Sequence, residues 1–180
     1  VEDLVPKTIS LTLLQRTLRG LLDEEVPIRD ARTIVESIVE NAPRLAAANT
    51  TGTGPDPAEL LQQVRIALGR AITQQWFPSG DEIRVIGLDP KLERVLTQAV
   101  TSSGALEPGL ADTLLQEAQR TVNQQEANGD PAVLVVPPVL RSALSRFLRH
   151  HFPHMGVLSN FEIPEERILR VTAVIGGGNT

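Results

Sequence analysis

An unbroken aliphatic run between two prolines constrains this chain more than any other feature. Residues 132–136 are all aliphatic, with Pro131 before them and Pro137 after them. Continuous runs of this length and composition are typical of strands that are covered on both faces, as in parallel sheets. A helical spacing of apolar positions follows at residues 138–148, and another strand pattern follows at residues 157–163. The order strand, helix, strand predicts a right-handed unit with two parallel strands.

Further strand and helix patterns surround that unit in the second half of the chain. A strand pattern covers residues 83–88, and helix patterns cover residues 90–100 and 110–122. The last strand pattern covers residues 168–175, and a short turn at residues 164–167 precedes it. Because a short turn favours antiparallel pairing, we expect this last strand to form a hairpin with the strand before it.

The first half of the chain carries only helical spacing. Apolar residues recur on one helix face after Ser10 and again after Asp30, and both residue types are favourable N-caps. A third helix pattern begins with an Asp-Pro pair at residues 56–57 and continues to Trp76. Residues 43–56 are poor in large apolar side chains, and we expect a mobile loop there.

The change of periodicity after Pro78 indicates a boundary between two parts. We predict an α+β fold with an N-terminal helical subdomain at residues 1–78. A small α/β subdomain follows at residues 79–180, with a mixed, mainly parallel sheet that ends in an antiparallel hairpin. The chain begins with Val1 rather than methionine, and we expect it to be a fragment of a longer protein.

Composition excludes several classes of function. The 180 residues include no cysteine, which excludes disulfide scaffolds, cysteine-ligated metals and thiol nucleophiles. Aromatic residues make up only 3% of the chain, and 22 acidic against 17 basic residues give a net charge of −5. This balance argues against a nucleic-acid partner, which requires cationic surface and stacking side chains. No apolar run approaches the roughly 18–20 residues that a membrane-spanning helix needs.

Side chains that could carry chemistry are few and poorly arranged. The three histidines, His150, His151 and His154, are interrupted by Pro153 and have no carboxylate near them in sequence. The acidic runs at residues 23–25 and 165–166 lie in predicted turns, where nothing would raise the pKa of a carboxyl group. We therefore expect no catalytic, metal-binding or cofactor-binding residue, and no cofactor.

Two alternative interpretations depend on other residues. Arg141, Arg146 and Arg149 lie away from the apolar stripe of their helix, so they could form a basic face that docks an acidic protein, or simply a solvated face. Ligands in open α/β sheets bind beyond the carboxyl ends of strands. A small-molecule site would therefore lie near residues 88–89 and 136–137.

Short motifs in a fixed order along nearly the whole chain carry a family resemblance. They are LVP at 4–6, VPIRDARTI at 26–34, VRIALGR at 64–70, LEPGLA at 106–111, VVPPVLR at 135–141, VLSN at 157–160, EIP at 162–164 and VIG at 174–176. In this order they resemble the C-terminal cytoplasmic region of the type III export-gate proteins of flagella and injectisomes. The segments at residues 74–78 and 158–160 favour the injectisome branch of that family.

The resemblance implies a structural rather than an enzymatic role in bacterial protein export. It implies that the parent protein lies in the inner membrane, which it contacts only through a missing N-terminal part, and that this fragment lies on the cytoplasmic side. The fragment corresponds to the third and fourth of four subdomains. The implied partners are further copies of the protein in a nonameric ring, other export-apparatus proteins and chaperone–substrate complexes.

In this family the third subdomain makes most of the ring contacts, which directs attention to residues 26–34. Arg29, Asp30, Arg32 and Glu36 would place charges of both signs at the start of one helix. Such a patch suits a head-to-tail interface, where it meets a different patch on the neighbouring copy. The alternative is that Asp30 caps the helix and the arginines pair locally.

Overall fold

The computed structural model describes residues 10–52, 54–80 and 82–177. Contacts divide the chain into two compact units, one ending at Ile72 and the other beginning at Thr73. This division falls six residues before the boundary that the periodicity predicts at residue 78. Each unit is described by itself below.

The described residues form four helices in the first unit and at the start of the second. They are α1 (Leu11–Asp23), α2 (Ala31–Ala48), α3 (Pro57–Ala67) and α4 (Gly69–Trp76), and α4 continues into the second unit. The predicted N-caps are confirmed, because the Ser10 and Asp30 side chains accept hydrogen bonds from the main-chain N–H groups of Leu13 and Thr33. Asp56 does the same for Ala58 at the start of α3.

The core of the first unit lies between α1, α2 and α3. Leu21, Ile34, Ile38, Leu60 and Val64 are completely buried. Burial of each such side chain stabilises the fold by about 1.5–3 kcal/mol, so the apolar spacing accounts for the packing of these helices.

The predicted loop at residues 43–56 begins too early. Helix α2 continues through Pro43 and ends at Ala48. Pro43 removes one main-chain hydrogen bond, but Leu45 is buried and the following alanines have the highest helix propensity of any residue. Residue 53 lies outside the described residues. The third predicted helix is also divided, because Leu68 leaves the helical conformation between α3 and α4.

A four-stranded sheet organises the second unit. The strands are β1 (Glu82–Leu88), β2 (Val133–Val136), β3 (Gly156–Ser159) and β4 (Ile168–Ile175), in the order β3-β2-β1-β4. The helices are α5 (Pro90–Ser102), α6 (Pro108–Ala127) and α7 (Pro138–His151), and a 3-10 turn covers Asn160–Glu162. The predicted parallel pairing of β2 with β3 around α7 is confirmed.

The predicted antiparallel hairpin is wrong. Strand β4 pairs with β1 at the opposite edge of the sheet, and it runs parallel to β1 from Glu82 opposite Ile168 to Leu88 opposite Ile175. The connection at residues 160–167 is eight residues long. An extended chain of that length spans up to about 26–29 Å. This is enough to cross the sheet to β1 and to return to the end at which β1 begins. The fold is therefore α+β as predicted, but the described strands pair only in parallel.

Candidate functional site

The predicted interface residues lie on the surface at the start of α2. Arg29, Asp30, Arg32 and Glu36, called the α2 patch below, are all exposed. Asp30 Oδ1 accepts from the Thr33 main-chain N–H at 3.1 Å, and Oδ2 accepts from the Thr33 hydroxyl at 2.6 Å. Arg32 Nε donates to Glu36 Oε1 at 2.8 Å, with the two side chains 86% and 63% exposed. Local bonds therefore orient Asp30, Arg32 and Glu36 without removing them from solvent.

These bonds act on the pKa values of two groups in the α2 patch. The hydrogen bonds from the Thr33 hydroxyl and main-chain N–H lower the pKa of Asp30, with a smaller contribution from the charge of Arg32. The hydrogen bond and the charge of Glu36 raise the pKa of Arg32. Both groups consequently keep their charges near neutral pH. At full exposure these bonds fix the positions of charges more than they stabilise the fold.

Arg29 differs from the other members of the α2 patch. Its exposed side chain makes no hydrogen bond or ion pair with the part of the chain that the structure describes. Its guanidinium group carries five N–H donors in a fixed planar arrangement that matches a carboxylate. Arg29 is therefore the member of the patch whose donors are not engaged within the described residues.

A Schellman motif ends α1 and leads toward the α2 patch. The Val26 N–H donates to the Leu21 carbonyl at 2.9 Å, and the Glu25 N–H donates to the Leu22 carbonyl at 3.0 Å. Glu25 has a φ of 61°, in the left-handed region where glycine is usual. Leu21 and Val26 are both buried, so the motif is closed by the apolar contact that normally accompanies it.

An ion pair attaches this turn to α3. Arg65 Nη1 lies 3.8 Å from Glu24 Oε2, and the two side chains are only 3% and 18% exposed. Residues 23–25 were predicted to form an exposed turn, and Glu24 is an exception because its side chain is only 18% exposed. The burial of Arg65 on the inner side of α3 gives Glu24 a partner that no local pattern indicates.

The predicted basic face of α7 is only partly present. Arg146 is exposed, but Arg141 is 1% exposed and Arg149 is half-buried, where its Nε donates to the Met155 carbonyl at 3.1 Å. The interpretation of these three arginines as one surface is therefore wrong. Arg141 extends beneath β3 instead of toward solvent, and its Nη1 donates to the Val157 carbonyl at 3.4 Å.

Arg141 belongs to a buried polar cluster that sequence analysis missed. Arg141 Nε lies 3.9 Å from Glu162 Oε2, and Glu162 is itself 1% exposed. The same Glu162 oxygen accepts from the Ser159 N–H at 3.0 Å within a reciprocal capping box. A Ser-x-x-Glu pattern at residues 159–162 is the sequence signal that could have indicated this cap. The cluster stabilises the end of β3. Because the cluster is buried, its role is structural.

The crevice predicted for a small molecule begins at Asp89, directly after β1. The Asp89 carboxylate caps α5 by accepting from the N–H groups of Lys91 and Leu92. A Cβ atom on Gly176 would lie 2.7 Å from Leu92 Cδ2, so the Leu92 side chain is packed directly against this end of β4. The one acidic group predicted there is thus engaged in a helix cap.

The histidines and acidic pairs are not arranged as a metal site in the described residues. Within residues 10–52, 54–80 and 82–177, no three histidine or acidic side chains come close enough to hold a metal ion. His150 and His151 contact each other edge to face, and Glu165 and Glu166 are exposed. None of the helices in the described ranges has the length and apolar character to cross a membrane.

These observations define a class of protein. The chain is an α+β protein that combines a helical unit with a unit built on a four-stranded parallel sheet. Within that class, the chain belongs to the FHIPEP family, whose model matches residues 1–167.

Two of the similar proteins are flagellar proteins. The chain is 54% identical to the flagellar biosynthesis protein FlhA of Escherichia coli K12 over 176 residues, which cover 98% of this chain. It is 53% identical to the FlhA of Salmonella typhimurium, again over 98% of this chain. The matched segment spans 24% of each relative, so the chain corresponds to about a quarter of their length.

Solved structures share the fold. The CdsV protein in the Chlamydia pneumoniae CdsV and CdsO complex matches with a TM-score of 0.77 and 28% identity, covering 94% of this chain and 48% of that one. The nonameric EPEC SctV-C matches with a TM-score of 0.71 and 25% identity, covering 91% of this chain and 51% of that one. The resemblance stated from the sequence motifs is therefore confirmed.

Proposed function

We propose that this chain is a non-enzymatic part of a type III export gate that assembles as a homo-oligomeric ring. The observation that carries the proposal is the match to FlhA relatives at 54% identity over almost the whole chain. These relatives are named as flagellar biosynthesis proteins. The proposal gives the chain a role in protein export on the cytoplasmic side of the bacterial inner membrane.

The flagellar branch is the better-supported of the two branches. Sequence analysis favoured the injectisome branch from residues 74–78 and 158–160. Identity reaches 54% with flagellar FlhA, against 28% with the CdsV structure and 25% with SctV-C. We therefore assign the chain to a flagellar export gate.

Assembly in a ring is supported by the solved relative that is nonameric at 25% identity. A second relative forms a complex with CdsO, which favours contacts between this chain and other proteins of the export apparatus. Chaperone–substrate complexes are further partners of the proposed gate. The proposal also includes two structural expectations. The first is a domain boundary near residue 78, and the second is a mobile loop after α2.

The α2 patch is the proposed contact between neighbouring copies. It offers two arginines, one aspartate and one glutamate on an exposed helix start, and local bonds already hold Asp30, Arg32 and Glu36 in place. Because these three are pre-positioned, little additional conformational entropy is lost on contact. Arg29 provides the cation available to a carboxylate on the next copy.

Ring assembly is tested with a chimera in which residues 1–180 replace the matching segment of E. coli FlhA. Its C-terminal region would be purified, and its mass would be measured by light scattering at increasing concentration. Negative-stain images of the same samples would show whether rings form. The proposal requires a concentration-dependent rise to a ring-sized species, and a region that stays monomeric at high concentration would contradict it.

A further inference from the structure

We propose that a groove between α5, α6 and α7 binds a short peptide segment of another protein, one that presents a large apolar side chain next to carboxylates. The groove has a volume of about 290 Å³. Its lining is formed mainly by Val100, Leu106, Ala111, Leu144, Phe147 and Arg146. This site lies entirely within the second unit, and it is separate from the α2 patch.

The apolar lining explains why a large apolar side chain would enter the groove. Leu144 is 1% exposed and forms part of the core of the second unit. Val100, Leu106 and Phe147 pack against that core but are only partly buried, so each leaves apolar surface in contact with solvent. Covering this concave surface with a leucine or phenylalanine side chain would remove it from water.

The charge around the groove explains why the segment should be acidic. Arg146 is an exposed lining residue, and its side chain has no ion pair or hydrogen bond among residues 10–52, 54–80 and 82–177. Arg149 follows on the next turn of α7, where its Nε is bonded to the Met155 carbonyl, so Arg146 is the cation of the groove. The lining includes no acidic side chain. A carboxylate beside the apolar anchor would therefore meet the Arg146 guanidinium group among the lining residues.

The size of the groove suits one or two side chains and lies at the lower end of the range for small-molecule sites. Pockets for small molecules and cofactors usually measure about 300–1,000 Å³ and enclose most of the ligand. A volume of about 290 Å³ is enough for one or two side chains. Protein segments commonly bind in this way, with one or two anchoring side chains in a groove and specificity from charges at its rim.

The proposal is tested by titrating the ¹⁵N-labelled chain with synthetic ten-residue peptides in NMR experiments. The first peptide carries one leucine between aspartates in a serine background. In the second peptide asparagine replaces the leucine, and in the third lysines replace the aspartates. Hexanoate is the fourth probe, because it has an apolar chain and a carboxylate but no peptide.

We expect the first peptide to shift the amide signals of Val100, Leu106, Arg146 and Phe147 in a saturable way. Arg146→Glu should weaken binding at least about tenfold, which is a free-energy difference of about 1.4 kcal/mol. Arg94→Glu is the matched control, because Arg94 is an exposed arginine of α5 that does not line the groove, and it should change the affinity by less than about twofold. If Arg146→Glu is unfolded, Arg146→Gln replaces it.

Several results would overturn the proposal. The first is an absence of saturable shifts from the aspartate peptide at concentrations up to about 5 mM. The second is equal binding of the lysine or asparagine peptide, and the third is an equal effect of Arg94→Glu and Arg146→Glu. Hexanoate that binds as tightly as the first peptide would indicate a small carboxylate ligand instead. None of these results would affect the ring proposal, because the groove and the α2 patch share no residue.

Discussion

The side chain of Gln125 donates a hydrogen bond from Nε2 to the main-chain carbonyl of Arg84 at 3.1 Å. Gln125 lies on α6 and is completely buried, and its Oε1 accepts from the Thr172 hydroxyl of β4 at 2.9 Å. The pairing of β1 with β4 shifts register between Val85 and Ile86, directly after Arg84. One amide side chain thus bonds to both strands where their regular pairing is interrupted.

Replacing Gln125 should destabilise the chain because it leaves these buried groups without partners. Gln125→Met keeps a similar volume but removes both hydrogen bonds, and we expect the free energy of unfolding to fall by about 2–3 kcal/mol. Urea unfolding followed by circular dichroism measures this change. Gln124→Met is the control, since Gln124 is exposed on the same helix and should stay within about 0.5 kcal/mol. Equal effects of the two substitutions would contradict this account of the register shift.

The buried pair of Arg141 and Glu162 should show strong coupling. Arg141→Met leaves the Glu162 carboxylate buried without its cation, and Glu162→Leu leaves the guanidinium group buried without its anion. Each change should cost about 3–5 kcal/mol, whereas the double variant should cost much less than their sum. A double-mutant cycle in urea measures the coupling. Strictly additive effects would show that the two side chains do not depend on each other.

The left-handed conformation of Glu25 predicts a substitution that stabilises the first unit. Glycine adopts a φ of 61° without the strain that a side chain imposes there. Glu25→Gly should therefore raise the free energy of unfolding by about 0.5–1 kcal/mol. Glu40→Gly, in the exposed interior of α2, should instead lower it by about 1 kcal/mol. Thermal unfolding compares the two, and a loss of stability in Glu25→Gly would refute the argument.

Asp30 should make the stability of α2 dependent on pH in the acid range. Its pKa is lower in the folded chain, so its contribution is present above the ordinary carboxyl value of about 3.9 and is lost as pH falls through the folded value. Asp30→Ala should lower the melting temperature near neutral pH and show a smaller deficit in acid. The measurement is a series of thermal unfolding curves from neutral pH into the acid range. A deficit that is the same at every pH would mean that the ionised carboxylate is not the effective cap.

Arg29, which lies just before α2, should matter more for ring assembly than Arg44, an exposed arginine within α2. In the FlhA chimera, Arg29→Glu places a negative charge where the proposed interface needs a cation, and we expect the ring-forming concentration to rise at least about tenfold. Arg44→Glu is the matched control, because Arg44 is exposed on α2 outside the patch. Light scattering measures both variants. If rings form equally well with both variants, Arg29 is not part of the interface.

Local features of the sequence predicted much of this fold. Ser10, Asp30, Asp56 and Asp89 each cap a helix where the sequence pattern places the helix start. These interactions join residues two or three positions apart, so a short window of sequence contains all the information they need. The aliphatic run at residues 132–136 likewise predicted a buried parallel strand because its composition reflects cover on both faces.

Features that depend on distant residues could not be predicted in this way. Strand β4 pairs with β1 rather than with β3, and this pairing joins residues more than eighty positions apart. The burial of Arg141 depends on Glu162 and on the carbonyl of Val157, which come from a later strand and turn. In the α2 patch, the local bonds of Asp30 and Arg32 were one of the two predicted alternatives. A contact with a second copy cannot be predicted from the sequence of a single chain.

Swimming motility of the chimera tests the central claim most directly. Residues 1–180 would replace the matching segment of FlhA in an E. coli strain that has no other copy of that protein. The export-gate account predicts swarms in soft agar at least about half the diameter of those of the parent strain, with flagellar filaments on the cells. A stable, correctly localised chimera that yields neither filaments nor motility would contradict a role in flagellar export.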